Sequence, residues 1–325
     1  RLATRFNLTG EQITRVCEQA SRTAFARDPE KSRLQLSDLF ECSRTISQPR
    51  LTTLSRKIKP AYNWDDLVLP LDQLAHLKEI ARQVKNKRVV MEEMGFGKKL
   101  SLGRGISALF SGQSGTGKTM AAEIIANDLG LDMYKIDLSA VVSKYIGETE
   151  KNLNRVFTEA EYSNAILFFD EADALLGKRS EVKDAHDRFA NIEIAYLLQK
   201  MEEYEGVVIM ATNLKKNIDD AFVRRIQFIV DFPFPNEVYR EAIWRAVYPK
   251  ETNLHKEIDF GFLAGKFVFA GGNIKNVALR AAYLAAEDGQ VVTMKHLVQA
   301  TRRELQKIGK SFTIGDFGQY TNVLK

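Results

Sequence analysis

The sequence predicts an α/β fold: a parallel sheet flanked by helices, followed by a helical domain and preceded by a helical fragment. Three observations carry this. Ile106-Ser107-Ala108-Leu109-Phe110, Ile166-Leu167-Phe168-Phe169 and Val207-Val208-Ile209-Met210-Ala211 are short, nearly continuous apolar runs, the pattern of strands buried on both faces. Helical patterns stand between them, such as Met120-Ala121-Ala122-Glu123-Ile124-Ile125-Ala126 and the series Leu153, Val156, Phe157, Ala160. Strands alternating with helices make a parallel sheet. Finally, a glycine-rich stretch joins the first run to its helix. Strands are expected at 106–111, 132–136, 164–169, 207–211 and 227–232, with helices alone from about 240 onward.

That stretch, Gly112-Gln113-Ser114-Gly115-Thr116-Gly117-Lys118-Thr119, fits G-x-x-x-x-G-K-[ST] at every fixed position. Its glycines let the backbone curl so that successive N–H groups face one anion. Lys118 is placed to reach the β- and γ-phosphates of a nucleoside triphosphate, and the Thr119 hydroxyl to hold Mg²⁺. A chance glycine-rich turn is the alternative, and the strand–loop–helix context argues against it. Gly112 through Thr119, with Met120 behind them, are the candidate nucleotide-binding residues.

The second buried run ends in Asp170-Glu171. Ligands of such sheets sit at the carboxyl ends of the strands. Asp170 is placed to coordinate Mg²⁺ through water, and Glu171 to activate the water that attacks the γ-phosphate. The plain alternative is a pair of surface acids. The third run ends in Thr212-Asn213, where the Asn213 amide is placed either to orient the same water or merely to cap a loop. Arg224-Arg225 follow; they are ordinary surface cations or arginine fingers that stabilise charge on a neighbouring subunit's phosphate.

Bulk composition narrows the class. A chain of 325 residues holds about two domains of ordinary size. Its 45% hydrophobic and 27% charged residues are those of a soluble globular protein. No apolar run approaches the roughly 18 residues of a membrane span. The net charge of +5 is a small excess that reads as solvated surface before it reads as a nucleic-acid footprint. Cys17 and Cys42 form neither a metal spacing nor a disulfide framework, which fits packing residues in a reducing, cytoplasmic compartment. The chain starts at Arg1, so it reads as a fragment or trimmed chain whose upstream signals are unreadable.

Residues 2–20 echo residues 263–281 at a constant offset of 261: Leu2 with Leu263, Phe6 with Phe267, Gly10 with Gly271, Ile13 with Ile274, Val16 with Val277 and Ala20 with Ala281. Thr9 and Gln12 fit a capping box at the start of the first copy. Either these are two unrelated amphipathic helices, or residues 1–50 are the last helical piece of an upstream module. In the second reading residues 51–60 are a linker, 61–240 the α/β domain, and 241–325 the helical domain with a tail. The tail aromatics Phe312, Phe317 and Tyr320 pack either on a neighbour or on that helical domain.

The order of these motifs resembles an AAA+ ATPase over roughly residues 60–305, and within it the AAA proteins proper, in the neighbourhood of spastin and katanin. The resemblance implies a P-loop NTPase sheet as the AAA+ large subdomain, a helical lid, bound ATP and Mg²⁺, and a homo-oligomer, generally a hexamer. Tyr62-Asn63-Trp64-Asp65-Asp66-Leu67 resembles the segment that lies against adenine, which adds Asp66 and Leu67 to the nucleotide-binding set. Gly271-Gly272-Asn273-Ile274 resembles the start of the lid helix that contacts nucleotide, through Gly272 and Asn273, although the family usually has an acidic residue where Asn273 stands. Asp219 to Pro235 aligns without gaps to the arginine-finger region.

Ser143-Lys144-Tyr145-Ile146-Gly147-Glu148 resembles the pore loop of protein-remodelling motors, with Lys144, Tyr145 and Ile146 as the basic–aromatic–aliphatic triplet that faces the channel. An aromatic there grips extended polypeptide by sequence-tolerant packing; the alternative is that Tyr145 caps the local core. His186-Asp187-Arg188 falls where a second pore loop belongs. Ala190-Asn191-Ile192-Glu193 and the upstream lid are similar to the AAA ATPases encoded with phage-tail-like contractile injection systems. The leading expectation is a motor that unfolds or threads protein, with no membrane partner. A nucleic-acid-remodelling AAA+ ATPase and a structural ring assembled by nucleotide are the alternatives. The former lacks room for an added DNA-binding domain after Leu305, and the latter needs no water activator.

Overall fold

The structure is a computed structural model that describes residues 8–29, 33–46, 54–141, 147–163, 165–173, 185–213 and 220–324. The chain divides into two compact units: one built from 1–62, 72–111 and 119–231, the other from 63–71, 112–118 and 232–325.

The first unit holds a six-stranded sheet in the order β1-β3-β4-β5-β2-β6. The strands are β1 Ser55–Ile58, β2 Ile106–Gly112, β3 Met133–Ile136, β4 Ile166–Phe169, β5 Val207–Thr212 and β6 Phe228–Phe232. β2, β4 and β5 are buried along their whole length, as continuous apolar runs require. β3, β4, β5 and β2 run parallel in turn, so Ile136 lies beside Phe169, Phe169 beside Met210, and Ser111 beside Thr212. The carboxyl ends of these four strands therefore share one edge of the sheet. β1 pairs antiparallel with β3, and it lies in the stretch that reads as a linker. Its sequence Ser-Arg-Lys-Ile has no apolar run to announce a strand. It is an edge strand carrying cations, and Lys57 pairs with Asp132 at 2.7 Å.

Helices α1 Gly10–Arg27, α2 Leu36–Ile46, α3 Leu71–Arg88, α4 Lys118–Leu129, α5 Leu138–Val141, α6 Glu148–Ser163, α7 Ala185–Glu203 and α8 Asp220–Val223 complete this part of the chain. The apolar series expected on α6 is the one buried: Leu153, Val156, Phe157 and Ala160 pack with Leu197 and Leu198 of α7 and with Leu167 and Phe169 of β4. Phe157 stacks on Phe169 at 6.1 Å and meets Tyr204 edge-on at 5.5 Å. The Thr9–Gln12 capping box forms, with Thr9 Oγ1 accepting from the Gln12 N–H at 3.3 Å and Gln12 Oε1 accepting from the Thr9 N–H at 2.8 Å. α1 and α2 share a small core of Val16, Ala20 and Cys42, closed by the bidentate Arg27–Asp38 pair at 2.6 and 3.0 Å. Ile13 is 51% exposed, whereas its echo Ile274 is fully buried; the two helices repeat a pattern but not an environment.

The second unit is helical. α9 Glu237–Ala246, α10 Phe260–Lys266, α11 Gly271–Glu287 and α12 Met294–Lys307 enclose Trp244, Leu263, Phe267, Ile274, Val277 and Leu297. The tail turns back as a 3₁₀ segment, Ile314–Leu324. Phe317 is fully buried against Phe267 at 5.2 Å, and Tyr320 meets Phe262 at 5.1 Å, so the tail packs on its own lid. Among the described residues no helix is long and apolar enough to cross a membrane.

Candidate functional site

The phosphate loop leaves β2 at Gly112, whose φ of 153° goes with a close approach: a Cβ there would lie 2.3 Å from the Phe232 carbonyl oxygen. Gly115 (φ 79°) and Gly117 (φ 104°) take the left-handed conformations that a side chain resists. Lys118 opens α4 and is buried, with Nζ donating to the carbonyls of Gly112 at 2.6 Å and Gln113 at 3.0 Å. Thr116 Oγ1 also donates to Gln113 O, at 2.8 Å. A cation folded into a glycine cradle at a helix N-terminus is an arrangement that accepts phosphate. Thr119 and Met120 follow, half-buried in the first turn of α4.

Two glycines bring the lid helix onto this loop. The Gly272 N–H donates to Gly115 O at 2.9 Å, and a Cβ on Gly271 or Gly272 would come within 3.2 Å of Gly115 backbone atoms. Leu67 is buried, 3.4 Å from where a Gly117 Cβ would stand. Asp66 accepts from the Asn63 N–H at 2.8 Å and closes the turn Trp64–Asp66. An apolar pocket opens beside Thr116 and Gly271, lined by Val68, Leu69, Pro233, Tyr239 and Ile243. These five are absent from the sequence-derived set; the adenine-segment resemblance stops one residue short of Val68.

Asn273 bonds within the helical unit. Its Oδ1 accepts from the Ala270 N–H at 3.3 Å and its Nδ2 donates to Glu304 at 2.9 Å. Glu304 is buried on α12 and also receives Asn276 at 3.3 Å and Lys307 at 3.1 Å. Burial alone pushes this carboxyl up, but the bonds from Asn273, Lys307 and Asn276 outweigh it and hold it below the usual carboxylate range. A lowered folded-state value gives stability that is present above the unfolded value and lost as pH falls through the folded one. Thermal unfolding of Glu304→Gln is therefore expected to show a lower neutral-pH midpoint and a flatter decline as pH falls below about 5. An acid limb identical to the parent's would show that Glu304 carries none of it.

The acidic pair stands at the shared sheet edge. Asp170 follows β4; its Oδ2 pairs with Lys135 Nζ of β3 at 2.5 Å and its Oδ1 accepts from the Glu171 N–H at 3.0 Å. Glu171 is exposed with φ 52°, a left-handed conformation that is uncommon for a residue bearing a side chain. The Ala172 N–H donates to Ala211 O at 2.9 Å and latches this turn to β5. Asp173 then gathers the end of β5: Oδ1 accepts from the Thr212 hydroxyl and from the Asn213 N–H at 2.8 Å, and Oδ2 accepts from Asn213 Nδ2 at 3.2 Å. The Thr119 hydroxyl and the Asp170 carboxylate are hard oxygen donors of the kind that suits Mg²⁺.

Arg224 and Arg225 are both exposed beyond α8. Arg225 Nε pairs with Glu202 at 2.6 Å, and among the described residues Arg224 has no such partner. Lys144, Tyr145 and Ile146 lie outside the described residues, as does Asp219, and nothing is described of the side chains of His186, Asp187 and Arg188. Lys135, Asp173 and Glu202 have no sequence signal of their own, because only folding brings them to Asp170, Asn213 and Arg225.

A strand–glycine loop–helix unit whose sheet carries an acidic pair at the carboxyl end of another parallel strand defines a P-loop nucleoside triphosphatase. Residues 108–234 match the family described as "ATPase family associated with various cellular activities (AAA)". The chain carries an AAA ATPase domain, and ATP hydrolysis is its chemistry. The proteasome-activating nucleotidase of Saccharolobus islandicus is 28% identical over 273 residues, which cover 81% of this chain and 68% of that one. An uncharacterized AAA family ATPase of Sinorhizobium fredii is 32% identical over 179 residues, 55% of this chain and 52% of its own length. The 26S proteasome regulatory subunit 8 homolog of Encephalitozoon cuniculi is 29% identical over 247 residues, 73% of this chain and 61% of its own length.

Proposed function

We propose that this chain is a Mg²⁺-dependent ATP motor that unfolds or threads a protein substrate through the pore of a homo-oligomeric, hexameric ring. The observation that carries the reading is Glu171, held exposed at the end of β4 next to the Asn213-bearing end of β5. A ring that used nucleotide only for assembly needs no water activator. Similarity to proteasome-activating nucleotidases supports a protein substrate over nucleic acid.

In this reading the loop N–H groups and Lys118 bind the ATP phosphates, and the apolar pocket takes the base. Thr119 and Asp170 hold Mg²⁺, which neutralises phosphate charge when bound. Glu171 takes the proton of the attacking water, Asn213 orients that water, and Arg224 with Arg225 completes a neighbour's site. Lys144, Tyr145 and Ile146 grip the polypeptide. Service to a contractile injection system rests on the resemblance of Ala190-Asn191-Ile192-Glu193 and of the helices that precede the α/β domain. Cytoplasmic residence rests on cysteine usage.

The test is Tyr145→Ala with an unstructured-tailed fluorescent protein as substrate. ATP turnover is expected to stay within about twofold of the parent while ATP-dependent loss of substrate fluorescence falls by about tenfold or more. Unchanged unfolding would refute the grip. ATP turnover by the parent without any unfolding, together with steeply salt-dependent binding to single-stranded DNA, would favour the nucleic-acid alternative.

A further inference from the structure

The geometry points to Asp173 as a positioning residue for hydrolysis: it fixes which face the Asn213 amide offers to the attacking water. The inference rests on the reading of Asn213 as the water-orienting residue. Asp173 stands 39 and 40 residues before the groups it binds, and its carboxylate takes the Thr212 hydroxyl, the Asn213 N–H and the Asn213 Nδ2 together. An ionised carboxylate only accepts hydrogen bonds. It therefore admits the Nδ2 side of the Asn213 amide and repels the Oδ1 side. The amide is locked with its oxygen directed away from Asp173, where it can accept a hydrogen from water but cannot be exchanged for a donor.

The support beneath this lock is rigid. Thr212 is fully buried at the end of a fully buried strand, and the Ala172 N–H holds the Asp173 turn to Ala211 at 2.9 Å. Glu171 lies two residues before Asp173, on the same turn. One short segment thus carries both the base and the group that orients the base's partner, so the two stay in register whenever the ends of β4 and β5 move together. Preorganisation of this kind acts on the chemical step and leaves ground-state binding alone.

Asp173→Asn separates this role from a purely structural one. The substituted amide keeps the shape, and its oxygen still accepts from Thr212 and the Asn213 N–H. Its nitrogen no longer accepts from Asn213 Nδ2, so position 173 no longer selects the Nδ2 side of the Asn213 amide. Steady-state kinetics, ATP binding and thermal unfolding are measured on Asp173→Asn, Asn213→Ala, the double variant and Thr212→Val. Expected are a fall in kcat of about 10- to 100-fold for Asp173→Asn with KM for ATP within about threefold, and little further loss when Asp173→Asn is added to Asn213→Ala. Thr212→Val, which removes one bond to the same carboxylate and leaves those from Asn213, is expected to lower the melting point and to lower kcat by less than Asp173→Asn does.

Parent-like turnover in Asn213→Ala would overturn the reading of Asn213 and this inference with it. Three outcomes overturn the inference alone: parent-like kcat in Asp173→Asn beside an impaired Asn213→Ala, independent losses that multiply in the double variant, or a Thr212→Val defect as large as that of Asp173→Asn.

Discussion

Glu171→Gln is expected to bind ATP as the parent does while turnover falls by about 10²- to 10⁴-fold. The argument begins with the backbone. Glu171 has φ 52°, and glutamine tolerates that conformation as glutamate does, so the substitution leaves the Asp170–Ala172 turn in place. The Glu171 N–H still donates to Asp170 Oδ1 at 3.0 Å, and the Ala172 N–H still holds Ala211. What changes is that an amide cannot take a proton from water. Since the phosphate loop and Asp170 are untouched, binding persists. Fluorescent-nucleotide titration and a single-turnover assay separate the two quantities. Hydrolysis continuing at the parent rate would remove Glu171 from the role of general base and direct attention to another carboxylate of the same edge.

Much of the frame was legible because burial on both faces leaves a plain mark. β2, β4 and β5 are near-continuous apolar runs, and the structure places them as adjacent parallel strands. The phosphate loop was legible because its glycines answer to local backbone geometry. β1 was not, since an edge strand of Ser55-Arg56-Lys57-Ile58 owes its pairing to β3 and not to its own hydropathy. The Lys135–Asp170 pair and the Asp173 latch were not, because each joins residues far apart in the chain whose types are common everywhere. At Asn273 the resemblance points toward nucleotide, and the structure adds a bond the sequence did not signal, from its amide to Glu304, a buried acceptor on α12.

The largest effect outside the acidic pair is expected at Arg224. The two consecutive arginines are equivalent in sequence, yet the structure sets them apart. Arg225 is drawn to Glu202 at 2.6 Å, an exposed pair whose loss costs below about 1 kcal/mol. Arg224 is exposed and makes no ion pair among the described residues, the state of a side chain available to a partner subunit. Arg224→Ala is therefore expected to keep ATP binding and to lower kcat by about 10³-fold, with Arg225→Ala less severe and the double change without turnover. A single-chain defect does not by itself show that the finger acts in trans; mixing does. Coexpression of Glu171→Gln copies with Arg224→Ala copies joins two chains that are each inactive alone. In a head-to-tail ring, an intact Glu171 then meets an intact Arg224 wherever an Arg224→Ala chain receives its finger from a Glu171→Gln neighbour, at about a quarter of the sites for equal random mixing. Turnover recovers to about that fraction if Arg224 serves the next subunit. It stays at the level of the separate variants if Arg224 serves its own, because no chain then holds both groups.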